Sequence, residues 1–388
     1  MITVNRGCFL NKTNTKPLFK EKLEILGLGE ANLSYSFCNK TGLIYQSQSL
    51  STKDLNNYYS NLHLSLDNKS KPTLEKKKNL DRYLYLIRQE CDKIPESVLE
   101  VSLMNLFTLK KFQFLGSKIL HGIEPNLKHI KEKFNDIKIF KNNFENFRTK
   151  QKYDLIILAH VLEHLPDPQK AIKNCYKHQE KGQKILVEVP LFDRIKNYPL
   201  AGFTMEHLHY FSEDNMKYFL EKNGYMILSL LKTYNSTQMP FLTIVAEKSK
   251  KIKPKNISSL SVKIQKNNFL NYLALTKKRY KLIRNELHKI NNKLPTYLYG
   301  AGATSSNFIF HSQIHQKINI QGIFDNNKDK YGLAIGNKKI LDFDKFHKIK
   351  KNIIVTSEFS SDQIVKKINS KKNIIYVYNK NCGLKKIS

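Results

Sequence analysis

The sequence lacks a long hydrophobic run. No apolar stretch approaches the ~20 residues of a membrane-spanning helix, and the amino-terminal residues do not show the pattern of a secretory signal peptide. The five cysteines are scattered without paired spacing, which is typical of proteins in a reducing compartment. We therefore expect a cytoplasmic protein without membrane insertion. The 388 residues leave room for several domains with sizeable cores.

Arginine is also scarce. The formal net charge is +33, but only seven of the 66 basic residues are arginine. Guanidinium groups form the paired hydrogen bonds that recognise phosphates and base edges, so their scarcity argues against a specific nucleic-acid partner. Lysine is spread along the whole chain with abundant asparagine and isoleucine, which we interpret as a compositional bias. The positive field would still speed encounters with acidic small molecules and permit weak, nonspecific nucleic-acid binding.

Three short apolar runs alternate with segments long enough for crossover helices. The runs lie in Gly122–Asn126, Tyr153–His164 and Ile185–Pro190. This rhythm predicts an α/β fold with a parallel sheet, and ligands of such sheets bind beyond the carboxyl ends of the strands. Polar side chains stand where the first two runs stop: Glu124, His160, Glu163 and His164. The sequence therefore predicts a site at this edge of the sheet.

These segments, together with Val98–Phe107, resemble the class I methyltransferases that use S-adenosylmethionine. The resemblance is closest to the three-domain C-methyltransferases that act on nucleotide-linked sugars, and it runs over nearly the whole chain. It implies a Rossmann-like methyltransferase domain, a second, smaller carboxyl-terminal α/β domain and a small amino-terminal module. The predicted boundaries are 1–50 for a degenerate zinc-module-like region, 51–94 for a helical linking segment, 95–248 for the methyltransferase-like domain, 249–293 for a basic linker and helix, and 294–388 for a Rossmann-like nucleotide- or sugar-binding domain.

In the resembling family, the first strand ends in an acidic, glycine-rich turn beneath the methionine part of the cofactor. Glu100 keeps the acid, but Ser102, Met104 and Leu106 stand where the family has glycine. Glycine permits a positive φ and a close approach of the ligand, so side chains at these positions add strain and take up space. The resemblance therefore implies a reshaped S-adenosylmethionine pocket that includes Glu100, Ser102 and Asn105.

Other cofactor contacts also follow from the resemblance. Glu124 ends its strand where the family places a carboxylate that accepts hydrogen bonds from the ribose hydroxyls, and one carboxylate can accept both. The loop Asn142–Phe147 lies where the family flanks the adenine, and His160 is expected in the wall of the cofactor pocket. The structural alternatives are a solvated acid at a strand end for Glu124 and a capped helix start for His160.

Residues His160–His164 also match H-x-x-E-H, the zinc signature of inverted metalloproteases, which present both histidines from one helix. Here the motif follows directly from a strand, and Pro166 and Pro168 come next. No long helix is left to carry both ligands. The sequence therefore argues against a metalloprotease, and no metal ligand is predicted.

The best candidate for chemistry is Phe203–Phe211, which resembles the family's Y-H-E-H-L-x-Y-F segment. Glu206, His207 and Tyr210 match that segment, whereas Thr204 replaces the tyrosine. The resemblance implies that His207 deprotonates or positions the methyl acceptor and that Tyr210 contacts the substrate. A histidine with its usual pKa of ~6.5 can act as a base at neutral pH, with a carboxylate such as Glu206 to orient it. Packing alone is the alternative role of the segment.

The amino-terminal residues resemble the zinc module with which the family begins. That module has two C-x2-C pairs, and this chain keeps one cysteine of each: Cys8 with Asn11, and Cys38 with Thr41. Two thiolates with an amide and a hydroxyl do not make a closed tetrahedral zinc site, so zinc is not expected.

A second α/β unit follows the central one. A basic segment after Lys248 predicts a linker, and Phe269–Lys293 predicts an amphipathic helix. Beyond residue 294, Gly300 and Gly302 open a helix after a short strand, and Asp325 ends the next strand, which matches much of a dinucleotide-binding fingerprint. A nicotinamide oxidoreductase is a rival interpretation, although the unit has the size of only half a dinucleotide fold. The resemblance implies instead that this domain holds the nucleotide of the substrate, and a purely structural turn is the alternative for the glycines.

Two hypotheses of different class remain. The first is an S-adenosylmethionine-dependent methyltransferase that acts on a nucleotide-linked sugar in surface-polysaccharide biosynthesis. The second is a catalytically inactive homologue that serves as a nucleotide-sugar-binding or scaffold protein. An RNA methyltransferase, suggested by the basic charge, is a third interpretation.

Overall fold

The structure is a computed structural model, and most of the chain is described by it. The described residues are 2–61, 74–103, 105–127, 130, 136–193, 200, 202–234, 239–249, 252–346, 348–357, 360–368, 372–379 and 383–387. Met104, one of the three residues at predicted glycine positions, lies outside them, as do residues 62–73 of the linking segment.

An antiparallel sheet occupies the amino-terminal region. Its strands and the helices after it are β1 (Thr3–Asn5), β2 (Phe19–Ile25), β3 (Gly29–Phe37), β4 (Ile44–Leu50), α1 (Thr52–Asn61) and α2 (Leu74–Glu90). The strand order is β1-β4-β3-β2. A two-residue strand from the central part of the chain, His209–Tyr210, pairs with Tyr45 and Ile44 of β4. The segment predicted to carry the chemistry is therefore held against the amino-terminal sheet.

The central part of the chain forms a seven-stranded sheet with helices. In chain order its elements are β5 (Ser97–Val101), α3 (Phe107–Phe114), β6 (Ile119–Ile123), β7 (Ile137–Phe140), β8 (Leu155–Ala159), α4 (Pro168–Lys177), β9 (Lys184–Pro190), β10 (His209–Tyr210), α5 (Glu213–Lys222), β11 (Tyr225–Tyr234) and β12 (Pro240–Lys248). The sheet order is β11-β12-β9-β8-β5-β6-β7, and β12 is antiparallel to both of its neighbours. Strand β8 is apolar and buried, as expected for a parallel strand covered on both faces.

A 28-residue helix, α6 (Ser259–Glu286), connects the central sheet to the carboxyl-terminal one. It begins ten residues before the predicted start because the Ser258 hydroxyl group accepts a hydrogen bond from the amide of Ser261, which caps the helix there. It contacts both neighbouring units. The Gln265 side chain donates a hydrogen bond to the carbonyl of Phe192 at 2.9 Å. The backbone of the helix packs closely against Gly383 of the carboxyl-terminal sheet.

The carboxyl-terminal unit has a second seven-stranded sheet. Its elements are β13 (Thr296–Tyr299), α7 (Ala303–Ser312), β14 (Ile320–Asp325), β15 (Ala334–Ile335), β16 (Lys338–Asp342), β17 (Asn352–Val355), α8 (Ser361–Lys367), β18 (Ile374–Asn379) and β19 (Gly383–Lys386). The order is β15-β16-β14-β13-β17-β18-β19, with parallel pairing from β16 to β18. The α/β fold class is thus confirmed, whereas the five domain boundaries stay predictions. Among the described helices, none is long and apolar enough to cross a membrane.

Candidate active site

A cavity of about 760 Å³ opens at the carboxyl ends of β5, β6, β8 and β9. Small-molecule sites usually occupy roughly 300–1,000 Å³. Its lining includes Ser102, Glu124 and the loop 141–145. It also includes Tyr59 of α1 and histidines and glutamates from segments 160–166 and 206–207. The cavity therefore lies at the edge of the sheet where the sequence predicts a site.

Glu124 lies just beyond β6 in the wall of the cavity. Its side chain is nearly buried, and its Oε1 accepts a hydrogen bond from the amide of Asn126 at 2.9 Å. Burial raises the pKa of this carboxyl group to about 7, although backbone hydrogen bonds from Asn126 and Leu103 oppose the rise. Hydrogen-bond donors on a ligand would favour the charged form. Glu124 is placed where it can hold a diol.

Ser102 occupies the first lost glycine position and keeps a backbone conformation that favours glycine. Its φ is 64°, and its amide donates a hydrogen bond to the carbonyl of Ile123 at 2.8 Å. Its side chain lines the cavity. Leu106, at the third lost glycine, is fully buried instead. The backbone at Ser102 thus has a conformation typical of glycine, and the serine side chain makes this conformation strained.

We expect Ser102→Gly to stabilise the protein. An L-residue in the left-handed region is less stable than glycine by about 1–2 kcal/mol, and the greater freedom of glycine in the unfolded chain offsets roughly 0.5–1 kcal/mol. The net gain should be about 0.5–1 kcal/mol in the free energy of urea unfolding. Ser102→Ala is the matched control, because it removes the hydroxyl group and keeps Cβ. An equal gain in both variants would contradict the strain argument.

Glu100 and Asn105 do not line the cavity, in contrast to their predicted contact with the cofactor. Side chains alternate along a strand, so Val101 faces the cavity and Glu100 points the other way. Burial raises the pKa of Glu100 to about 8, and Thr108 and Lys76 oppose the rise. The side chain of Asn105 accepts a hydrogen bond from the amide of Phe107 at 3.1 Å and so holds the start of α3.

His160 lies in the cavity wall between two buried carboxylates. Its Nδ1 is 3.5 Å from Glu163 Oε1, and its Nε2 is 3.2 Å from Glu188 Oε1. Burial lowers the pKa of His160, but the two carboxylates outweigh it and raise the pKa to about 10. His160 is therefore an imidazolium at neutral pH. Its predicted contact with the cofactor stays a prediction.

Glu188, in the middle of the sheet, is the centre of a polar network that the sequence did not predict. The fully buried carboxylate accepts hydrogen bonds from Tyr83 at 2.7 Å, from Thr243 and from Arg82. Burial raises its pKa, but His160 and Arg82 outweigh burial and lower the pKa to about 2. The signal in the sequence was a glutamate within the apolar run ILVEVP, since an acid in a buried strand needs partners.

Glu163, His164 and His207 form a cluster in the wall of the cavity. One ligating atom from each lies within 4.8 Å of those of the others. Burial, together with the neighbouring His164, lowers the pKa of His207 to about 4. His207 is therefore neutral at physiological pH and less basic than the sequence suggests. The carboxylate in this cluster is Glu163, a residue that the sequence placed at a strand end without a role.

The segment with Glu206 and His207 is held in place by the amino-terminal region. The Gln46 side chain donates hydrogen bonds to the carbonyls of Thr204 at 2.7 Å and His207 at 2.9 Å. The hydroxyl group of Tyr58, from α1, donates to the Glu206 carboxylate. Glu206 thus binds Tyr58. Its predicted role in orienting His207 stays a prediction.

Tyr210 lies in the hydrophobic core rather than at the cavity surface. It is 2% exposed and packs against Phe203 with ring centroids 4.5 Å apart. Its hydroxyl group accepts a hydrogen bond from the amide of Thr204 at 3.1 Å. Its position therefore differs from the predicted contact with the substrate, because the pairing of β10 with β4 turns this side chain inward.

The four positions of the predicted zinc-module-like region come together in the structure. Asn11 donates a hydrogen bond from its side chain to Cys38 Sγ at 3.1 Å, and Cys8 Sγ lies 3.7 Å from Thr41 Oγ1. A hydrogen bond from Cys8 lowers the pKa of the Cys38 thiol to about 4. Hydrogen bonds thus connect the side chains at the four positions where the resembling family has metal ligands.

The predicted glycine turn of the carboxyl-terminal unit lies beside a narrow second cleft. Gly302 and Lys330 line this cleft, whereas Gly300 and Asp325 shape the turn. Gly300 has a φ of 109°, which requires glycine. The Asp325 carboxylate accepts a hydrogen bond from the amide of Ala301 at 2.7 Å. This hydrogen bond stabilises the turn. Glu206 lines both the cleft and the large cavity.

The sheet order and the position of the cavity define the Rossmann-like fold of the class I methyltransferases. Residues 102–230 match the family model described as a methyltransferase domain. This match covers the turn at Ser102, the carboxylates Glu124 and Glu163, and the segment with His207. No curated protein matches the chain by sequence.

Several solved structures are similar to this chain. One is the N-methyltransferase NodS from Bradyrhizobium japonicum with S-adenosyl-L-homocysteine, at 13% identity and a TM-score of 0.40, over 51% of this chain and 98% of that one. Another is the magnesium protoporphyrin IX methyltransferase from Synechocystis, at 12% identity and a TM-score of 0.41, over 51% and 100%. A third is the 1,6-didemethyltoxoflavin-N1-methyltransferase from Burkholderia thailandensis, at 11% and 0.42, over 59% and 100%.

Proposed function

We propose that this protein is an S-adenosylmethionine-dependent methyltransferase that acts on a sugar carried by a nucleotide, in surface-polysaccharide biosynthesis. The observation that carries the proposal is one cavity with two chemically different groups in its wall. Glu124 offers a carboxylate that can bind a diol, and His207 offers a neutral imidazole. A methyl donor and a hydroxyl or carbon acceptor can therefore meet between them.

Part of the cavity lining fits the cofactor. Glu124 would accept the ribose hydroxyls, and the backbone turn at Ser102 would lie under the methionine part. The loop with Asn142, Asn143 and Phe144 would flank the adenine, since it lines the same cavity. When bound, S-adenosylmethionine supplies an electrophilic methyl group on sulfur.

His207 would remove the proton that the methyl acceptor loses. Its low pKa keeps the ring unprotonated and ready to accept, although it makes His207 a weak base before the acceptor binds. The nearby Glu163 carboxylate would stabilise the imidazolium that forms. Gln46 holds the segment in position through the His207 carbonyl, so the base is anchored by the amino-terminal sheet.

A phosphate of the nucleotide would lie at the second cleft, which has a volume of about 60 Å³. Gly302 begins α7, and the amides at a helix amino terminus attract phosphate. The buried ammonium group of Lys330 lies beside this turn, where it donates a hydrogen bond to the carbonyl of Ala301 at 3.0 Å and pairs with the Asp325 carboxylate at 3.4 Å. Because Glu206 lines both spaces, a sugar attached to this nucleotide would pass Glu206 and reach His207.

Calorimetry with S-adenosylmethionine and S-adenosylhomocysteine tests the enzyme class. Micromolar binding, roughly −8 kcal/mol, is the expected result and would be followed by transfer assays with nucleotide sugars. The absence of binding at millimolar cofactor would overturn the proposal and favour a catalytically inactive homologue that binds nucleotide sugars. Transfer to RNA, with none to nucleotide sugars, would keep the enzyme class and reject the substrate.

We expect Gly302→Val to weaken nucleotide-sugar binding by about tenfold or more, because its side chain would fill the place of a phosphate. A Cβ at Gly302 meets no atom within 4 Å in the free protein, so the variant should fold. Binding of uridine diphosphate and thymidine diphosphate sugars, measured by calorimetry, checks this. Phe310→Val, on an exposed position of the same helix, is the control. Unchanged binding in Gly302→Val would place the nucleotide elsewhere.

A further inference from the structure

We infer that Glu163, His164 and His207 form a binding site for a divalent transition-metal ion, with zinc as the best fit. The three residues come from two segments that the fold brings together beside the cavity. The inference does not depend on the proposed sugar substrate or on the cofactor.

The distances suit one shared ion. The ligating atoms all lie within 4.8 Å of one another, and His164 Nε2 is 3.8 Å from Glu163 Oε1. Donors at about 2.0–2.2 Å from a tetrahedral zinc ion are separated by roughly 3.4 Å. Small side-chain movements would therefore bring all three donors into contact with one ion.

His164 is already oriented as a ligand. Its Nδ1 lies 3.0 Å from the backbone carbonyl of Glu206 and 3.1 Å from the Tyr59 hydroxyl group. Because a carbonyl oxygen only accepts hydrogen bonds, the contact with Glu206 is made by the tautomer that carries its proton on Nδ1, and this tautomer leaves the lone pair on Nε2. Metal-binding histidines commonly donate their second N–H to a backbone carbonyl in this way.

Glu163 provides an independent indication of a cation. Its side chain is 1% exposed, and within the described part of the chain neither carboxylate oxygen has a hydrogen bond. Glu163 Oε1 forms an ion pair with His160 Nδ1 at 3.5 Å. The other carboxylate oxygen, Oε2, has no hydrogen-bond partner within the described part of the chain. A buried carboxylate without hydrogen bonds is costly, and an ion bound to it would remove that cost.

The donor set indicates the class of metal. Two imidazole nitrogens and one carboxylate favour zinc, cobalt or nickel over magnesium and calcium, which prefer oxygen ligands. The cavity beside the cluster leaves room for a water molecule or a ligand as the fourth donor. An ion here would occupy the lone pair of His207, so metal binding and proton acceptance by His207 exclude each other. Zinc should therefore inhibit methyl transfer.

The test is a cobalt titration of the full-length chain without a histidine tag, after treatment with a chelator. We expect one Co²⁺ per chain with the visible bands of four-coordinate cobalt, displaced by Zn²⁺. Glu163→Gln, His164→Asn and His207→Asn should each weaken binding at least tenfold. His288→Asn, at an exposed position, should leave binding unchanged.

A second set of variants separates this site from the amino-terminal thiols. The cobalt bands should persist in the double variant Cys8→Ser, Cys38→Ser. Loss of the cobalt bands in this double variant, or their persistence in Glu163→Gln, His164→Asn and His207→Asn, would overturn the inference. Circular dichroism and S-adenosylhomocysteine binding report whether each variant folds. Because the titration contains no cofactor, a negative cobalt result does not contradict the proposed methyltransferase activity. Likewise, a negative result in the cofactor-binding assay does not contradict the metal site.

Discussion

Replacing Glu124 with alanine should lower the affinity for S-adenosylhomocysteine by at least ~100-fold, because two hydrogen bonds to a charged group contribute about 1.5–3 kcal/mol each. The carboxylate lies nearly buried at the end of β6 and lines the cavity, so its loss removes the only predicted acceptor for the ribose hydroxyls. Calorimetry at pH 8, where the wild-type carboxylate is charged, measures the effect.

The pH dependence of cofactor binding gives a second readout for Glu124. Burial raises its pKa to about 7 in the free protein, so the carboxylate is protonated below that value and ionised above it. Affinity should therefore rise between pH 6 and pH 8 in the wild type and should lose this dependence in Glu124→Ala. Glu96→Ala, at an exposed position before β5, is the control. Wild-type affinity in Glu124→Ala would show that the ribose binds elsewhere.

Replacing His207 with alanine should lower the rate of methyl transfer by roughly 10²–10⁴-fold, the usual contribution of a general base. The affinity for S-adenosylhomocysteine should stay within about twofold of the wild type, since His207 is proposed to contact the methyl acceptor and not the cofactor. Single-turnover rates with saturating cofactor, in the presence of a chelator, separate the chemical step from metal inhibition.

The pH profile distinguishes a base from a structural residue. With a pKa lowered to about 4, His207 loses the ability to accept a proton only when the pH falls towards that value, so its protonation should not limit the rate near neutrality. His288→Ala should transfer methyl groups like the wild type. Equal losses of rate and of cofactor affinity in His207→Ala would indicate that the residue supports the fold.

The fold was largely predictable because its signals are local. Buried strands such as β8 are apolar runs of a few residues, and their periodicity is visible in any sequence window. Helix α6 was predicted from its apolar positions, and Tyr280 and Ile283 are indeed buried. Its start was predicted ten residues late because the apolar residues of its first turns, Leu260, Val262 and Ile264, occur at every second position, and the Ser258 cap marks the boundary.

The candidate site was predictable only in part. Glu124 and His207 line one cavity, as their positions beside apolar runs suggested. Glu100 and Tyr210 matched a family pattern yet point away from the cavity, since strand alternation and the β10–β4 pairing decide side-chain direction. Sequence matching identifies a position, whereas the face on which its side chain lies depends on register.

The sequence by itself determined the α/β class, the order of the strands along the chain and the edge of the sheet that carries the site, because apolar periodicity and turn residues act over a few neighbours. Only the tertiary structure decided that Glu163 and His164 lie beside His207, that Glu188 is paired with Arg82, and that the amino-terminal sheet holds the segment with His207. These contacts join residues far apart in sequence, and their geometry follows from how the elements pack rather than from any local pattern.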